Sequence, residues 1–153
     1  MEEKITNKVL LSLGSNLGDR IQNINAAIQA IGDLIGLVSE KSNFHYTSPL
    51  DFDSDNEFVN CCIVLQTSKS CLEVLNCNQE IESNMGRVRS GSVYQDRIID
   101  IDIIFFNDLI YNSDELIIPH PKYHLRDFVL LPMKELSTFI DPREKKNILV
   151  TDL

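Results

Sequence analysis

The ten residues 97–106, RIIDIDIIFF, constrain the fold of this chain more than any other stretch. Five isoleucines and two phenylalanines in these positions predict a strand, because β-branched and aromatic side chains pack well on a pleated surface. Successive side chains on a strand point to opposite faces. Asp100 and Asp102 therefore share one face while Ile99, Ile101 and Ile103 share the other. Further along, the carboxylate face is expected to turn apolar at Ile104 and Phe106. The acids stand at the strand's entrance, where a buried sheet meets something polar. Two ionised carboxylates there repel each other and lose hydration, a cost that a divalent cation removes. Hard oxygen ligands favour magnesium. A solvated strand end would show the same Asp-x-Asp, but the arginines just upstream argue for the metal.

A chain of 153 residues is expected to form a single domain over 1–153, with room for one substantial core. A hydrophobic content of 43% and a charged content of 24% belong to a soluble globular protein rather than a disordered one. No run of about 18 apolar residues predicts a membrane span. The polar amino end carries no signal-peptide core, so the expected location is cytoplasmic. A formal charge of −9 argues against nucleic acid or anionic membrane as a partner. Positive charge is nonetheless gathered locally. Arg87, Arg89 and Arg97 form one group, and His120, Lys122 and Arg126 another, which suits a small anionic ligand. Cys61, Cys62, Cys71 and Cys77 have neither zinc-site spacing nor the look of a disulfide framework, and read as reduced, mostly buried thiols.

The stretch 8–13 predicts a first strand, followed by a turn through Gly14, Asn16 and Gly18. That turn lacks the Lys-Ser/Thr pair of a P-loop and the spacing of a dinucleotide fingerprint. From Asp19 to about residue 35, Ile21, Ile24, Ile28, Ile31 and Ile35 recur at helical spacing. A weakly patterned second strand is expected over 37–46, an acidic loop over 47–57, and a buried third strand over 58–66. Ser70 and Glu73 have the spacing of a capping box, opening a helix that carries Leu72, Leu75, Ile81 and Met85 and stops at Gly86. The polar loop 87–96 leads into the Asp-x-Asp strand. Two short strands, 109–111 and 116–118, and a helix over 126–136 with Pro132 as a local defect complete the pattern. The order β-α-β-β-α-β, then a hairpin and a helix, predicts an α+β fold: a ferredoxin-like antiparallel sheet with flanking helices and an added hairpin.

Three ingredients stand together here: a carboxylate pair suited to magnesium, arginines suited to phosphate oxygens, and a flexible loop joining them. Arginine binds phosphate bidentately and stays charged at any working pH. The combination is the equipment of phosphoryl transfer, in which positioning and charge stabilisation do most of the catalysis. The residues by themselves thus indicate a magnesium-dependent transferase acting on a nucleotide. A non-catalytic nucleotide-binding module on the same fold, or another magnesium phosphotransferase with a small aromatic acceptor, stays open at this point.

Five short motifs lie in order along the chain: LGSNLG at 13–18, GRVR at 86–89, RxxDID at 97–102, PHP at 119–121 and RxFVL at 126–130. In order and spacing they resemble 6-hydroxymethyl-7,8-dihydropterin pyrophosphokinase over about residues 9–136. The resemblance implies transfer of pyrophosphate from ATP to 6-hydroxymethyl-7,8-dihydropterin in folate biosynthesis, leaving AMP. It implies that Asp100 and Asp102 hold two magnesium ions and that Arg87 and Arg97 complete the catalytic set. It places Leu75, Gln79, Glu82, Arg89, Ile103, His120 and Arg126 around ATP. It places Thr47, Pro49, Leu50, Phe58, Asn60 and Phe128 around the pterin, with the two phenylalanines stacking on the flat bicycle. Small-molecule substrates, a monomer and no neighbouring pathway domain are what it leads one to expect. The chain departs from the family at 93–96, where Tyr94 stands for a tryptophan and Asp96 adds negative charge, and at the acidic loop 51–57.

Overall fold

The structure, a computed structural model, describes residues 6–47, 57–86, 98–136, 139 and 141–144. Four strands form the main antiparallel sheet in the order β2 (Leu37–Lys41), β4 (Phe58–Thr67), β1 (Asn7–Ser15), β5 (Asp100–Phe106). A short β3 (His45–Thr47) also pairs with β4. Two helices, α1 (Arg20–Leu34) and α2 (Cys71–Asn84), follow β1 and β4, which yields the expected ferredoxin-like arrangement. The added hairpin is present as β6 (Tyr111–Asn112) and β7 (Ile117–Ile118), and α3 (Asp127–Met133) follows it.

Both long helices begin as their sequences dictate. Asp19 caps α1 by accepting from the Gln22 amide, and Ile24, Ala27 and Ile31 are fully buried beneath it. The Ser70–Glu73 capping box opens α2: the Glu73 amide donates to Ser70 Oγ, and the Ser70 amide donates to Glu73 Oε1, which holds that carboxyl below its ordinary range. At the far end Gly86 takes a φ of 96°, which a side chain would strain. Leu72, Leu75 and Met85 prove only partly buried, and the deepest positions of α2 are Cys71, Val74, Asn78, Ile81 and Glu82. All four cysteines are free thiols, and burial raises that of Cys61 to about 12.

Two expectations fail, each because pairing overrides local pattern. The single second strand is really two. Ser42, only 4% exposed, interrupts it: its amide donates to the Cys62 carbonyl, and its hydroxyl accepts from the Cys62 amide in place of a strand partner. The second correction concerns Phe106. Leu10 pairs with Phe105 and Leu11 with Ile103, so Ile104 is an extra residue, a β-bulge. The alternation slips there. Ile104 and Phe105 both join the core under α3, while Phe106 packs with the core under α1 and α2, away from the carboxylate face.

The sheet thus separates two cores. Val9, Leu11, Leu13, Val59, Ile63, Leu65, Ile101 and Ile103 pack against α1 and α2. On the opposite face Leu10, Cys62, Val64, Ile104 and Phe105 meet Tyr123, Val129, Met133, Leu136 and Phe139. Each fully buried aliphatic side chain contributes about 1.5–3 kcal/mol relative to exposure.

Candidate active site

The second core covers only half of its face. Along β1, Leu10 is followed on that face by Ser12 and Gly14, and along β4, Val64 and Cys62 give way to Asn60 and Phe58. On β5, Asp102 lies opposite Ser12 and Asp100 opposite Gly14. The half not roofed by α3 is therefore polar and carries both carboxylates, each half-buried. Gly14 sits between Asn60 and Asp100, and a Cβ there would come within 2.7 Å of Asn60 Oδ1 and 3.5 Å of the Phe58 ring. The glycine is what leaves room for the Asn60 amide over the strand. Asn60, 3% exposed, donates from Nδ2 to Thr47 Oγ1 at 3.0 Å.

The bulge on β5 serves this site. It turns the Ile104 carbonyl outward, where the His120 amide donates to it at 2.9 Å. His120 Nδ1 accepts from the Lys122 amide at 3.1 Å, so the ring proton resides on Nε2. Burial, and then the positive charge of Arg126, push its pKa down to about 4 against the opposing pull of Asp100. His120 is thus a neutral donor at physiological pH. Arg126 occupies the N-cap position of α3, and its guanidinium lies 5.6 Å from the ring centre of Phe128.

The nucleotide set is divided. His120 lies within electrostatic reach of Asp100 and of Arg126, whereas Leu75 and Ile103 belong to the core on the other face and Gln79 is exposed on α2. Glu82, 3% exposed, accepts from the Ile101 amide at 2.8 Å, closing one outward-facing group of the edge strand β5. Arg87, Arg89, Arg97, Pro49 and Leu50 lie outside the described residues, as do Tyr94 and Asp96.

Sequence reading missed three supports. Arg20 Nη1 donates to the Glu57 carbonyl at 2.8 Å, with its guanidinium 5.7 Å from the Tyr46 ring centre. Asn23 Nδ2 donates to Ser15 Oγ and the Leu17 carbonyl, fastening the turn after β1. Asp141 accepts from the Tyr123 hydroxyl at 2.6 Å and from Arg143, holding the turn Tyr123–Leu125 between His120 and Arg126. Only the turn of Arg20 and Asn23 had a sequence signal, the SNLGDR run itself.

The family of 7,8-dihydro-6-hydroxymethylpterin-pyrophosphokinase (HPPK) matches residues 10–138 of this chain. The chain belongs to that family. The match spans every strand and helix described above except the start of β1, and family membership makes the chain a diphosphokinase. It is 37% identical over 139 residues to the 2-amino-4-hydroxy-6-hydroxymethyldihydropteridine pyrophosphokinase of Porphyromonas gingivalis, covering 88% of this chain and 93% of that protein. The enzyme of the same name from Bacillus subtilis is 32% identical over 138 residues, covering 90% of this chain and 82% of the relative. Among solved structures, Plasmodium falciparum HPPK-DHPS aligns with a TM-score of 0.67 at 18% identity, over 86% of this chain and 40% of that one. That likeness speaks for the fold.

Proposed function

We propose that this chain transfers the β,γ-pyrophosphoryl group of ATP to the hydroxymethyl oxygen of 6-hydroxymethyl-7,8-dihydropterin, with two magnesium ions. The observation that carries this reading is the polar half-face on which Asp100 and Asp102 meet Gly14, Asn60, neutral His120 and Arg126.

The donor set fits magnesium arriving with a triphosphate. Among the described residues no group of three or more His, Cys, Asp or Glu could form an all-protein metal site. Magnesium characteristically takes one or two carboxylates and completes its shell with phosphate oxygens and water. Asp100 and Asp102 would hold it, and when bound it supplies charge neutralisation for the attacking and leaving oxygens. In the reaction the pterin oxygen forms a bond to the β-phosphorus, the bond from that phosphorus to the α–β bridging oxygen breaks, and AMP leaves. Asp100 orients the attacking hydroxyl, whose O–H bond breaks as the new bond forms, its proton passing by way of that carboxylate to solvent. His120 donates its Nε2 proton as a hydrogen bond to a phosphate oxygen, without carrying charge, and Arg126 neutralises the triphosphate. Arg87 and Arg97 are assigned the charge that develops at the β-phosphorus, and Arg89 an ATP contact.

The nucleotide is proposed to run over the edge of β5. Ile103 lies on this strand between Ile101, whose amide Glu82 takes, and Ile104, whose carbonyl takes the His120 amide. Leu75 and Gln79 of α2 would frame the base from the other side of that edge. Phe58 and Phe128 would stack on the pterin, Asn60 would read its donor–acceptor edge, and Thr47, Pro49 and Leu50 would complete that edge.

Incubation with ATP, magnesium and 6-hydroxymethyl-7,8-dihydropterin should release AMP in step with pterin diphosphate. Release of ADP, or turnover independent of pterin, would sink the assignment.

A further inference from the structure

Strand β3 is a short element of the proposed pterin edge. It has three residues, pairs with β4, and exposes Tyr46. Yet it carries Thr47, whose hydroxyl fixes the Asn60 amide. Helix α3 across from it is held by Val129 and Met133 and by Leu136 just beyond, all buried.

One side chain ties these two unequal elements together. Glu135 follows the end of α3, and its Oε1 accepts from the Asn43 amide at 2.8 Å. Its Oε2 meets His45 Nε2. Both carboxylate oxygens are thus engaged by the chain entering β3, and the pair stays only partly exposed, at 25% for His45 and 30% for Glu135. Partial burial alone would raise the Glu135 carboxyl, but the Asn43 amide and the His45 imidazole hold it below its ordinary value. His45 pairs across from Asn60, so it shares the site face with Asn60 and Thr47. On the opposite face the Arg20 guanidinium lies over Tyr46, so β3 is gripped from both sides.

We propose that Glu135 is a positioning residue, holding β3 through His45 and Asn43 so that Thr47 keeps the Asn60 amide aimed at the acceptor substrate. This rests on the pterin reading of Asn60 given above. Because α3 is fixed by its own core, loss of the grip releases β3 and leaves Arg126 and the triphosphate side in place. The consequence falls on one substrate only.

The test has two arms on the full chain. In the free protein, Glu135→Ala should speed hydrogen exchange at the β3 amides about tenfold, the size expected from losing a charge-assisted hydrogen bond, with β1 amides unchanged. In steady-state kinetics the same variant should raise the KM for the pterin about tenfold and leave the KM for ATP unaltered. Glu135→Gln, which keeps an acceptor for the Asn43 amide, should recover most of both losses. Unchanged β3 exchange would overturn the proposal, as would equal rises in KM for both substrates. Exchange accelerated throughout the molecule would do the same, marking Glu135 as a plain stability residue. Wild-type protein without pterin-dependent AMP release would remove the functional reading, while the exchange arm still decides the grip.

Discussion

Strand β1 buries Val9, Leu11 and Leu13 under α1 and α2, and turns Leu10, Ser12 and Gly14 to the other face. The first set continues apolar onto both neighbouring strands, through Ile63 on β4 and Ile101 on β5. The second changes character midway, from a greasy end roofed by α3 to a polar end carrying two carboxylates. One face is built for burial throughout. The other uses burial at one end to anchor α3, with Arg126 and Phe128 at its start, and carries Ser12, Gly14, Asn60, Asp100 and Asp102 at the opposite end. The fully packed layer behind the sheet gives the strands that carry the carboxylates a rigid base.

Substitutions on the two faces should separate activity from stability. The largest effect is expected at Asp102→Ala, which should lower turnover about a thousandfold or more while the thermal transition stays in place, read by AMP release and calorimetry. Near-normal activity would remove the metal role. On the packed face, Ile63→Ala should do the reverse. Ile63 is 0% exposed, so the variant should lose about 2–5 kcal/mol in denaturant unfolding with kcat unchanged for the folded protein.

His120 tests the boundary between the halves. Its pKa falls from 6.5 to about 4 on folding, so the unfolded chain binds the proton more readily. Its contribution to stability is complete above pH 6.5 and is lost as pH falls towards 4. Unfolding midpoints at pH 7 and pH 5 should therefore converge in His120→Gln relative to wild type; an unchanged difference would show that another group carries the slope.

The smallest effect concerns Asn78 on α2, 1% exposed, whose side-chain oxygen and nitrogen have no hydrogen-bond partner among the described residues. An apolar residue of similar shape removes that desolvation cost, so Asn78→Leu should gain about 1 kcal/mol in denaturant unfolding with activity unaffected. A loss of stability would mean that the packed layer harbours a buried water at this point.

Local physics made much of this molecule legible in advance. The Asp19 and Ser70 caps, the isoleucine stripe of α1 and the alternation that puts Asp100 and Asp102 together are all encoded within a turn or two of chain. The five motifs led correctly to the family. Thr47, Asn60, Phe58, Phe128, His120 and Arg126 lie on the α3 side of the sheet, whereas Leu75 and Ile103 lie in the core behind it. Most of the missed features depend on which distant segments meet, and in what register. The Ser42 break, the Ile104 bulge and the Glu135–His45 contact join residues 20 or more positions apart, except for the bulge, which only the pairing with β1 reveals.

The sequence by itself determined that the stretch 97–106 would hold a strand with two carboxylates on one face, because side-chain alternation is a property of any extended chain; the strand itself begins only at Asp100. Tertiary structure decided where that alternation stops. Pairing with β1 leaves Ile104 over, so Phe106 turns to the opposite core and the Ile104 carbonyl is freed for the His120 amide. No local preference of an isoleucine specifies a bulge. It arises because two strands must match both their hydrogen bonds and their buried faces, and here only one extra residue allows both.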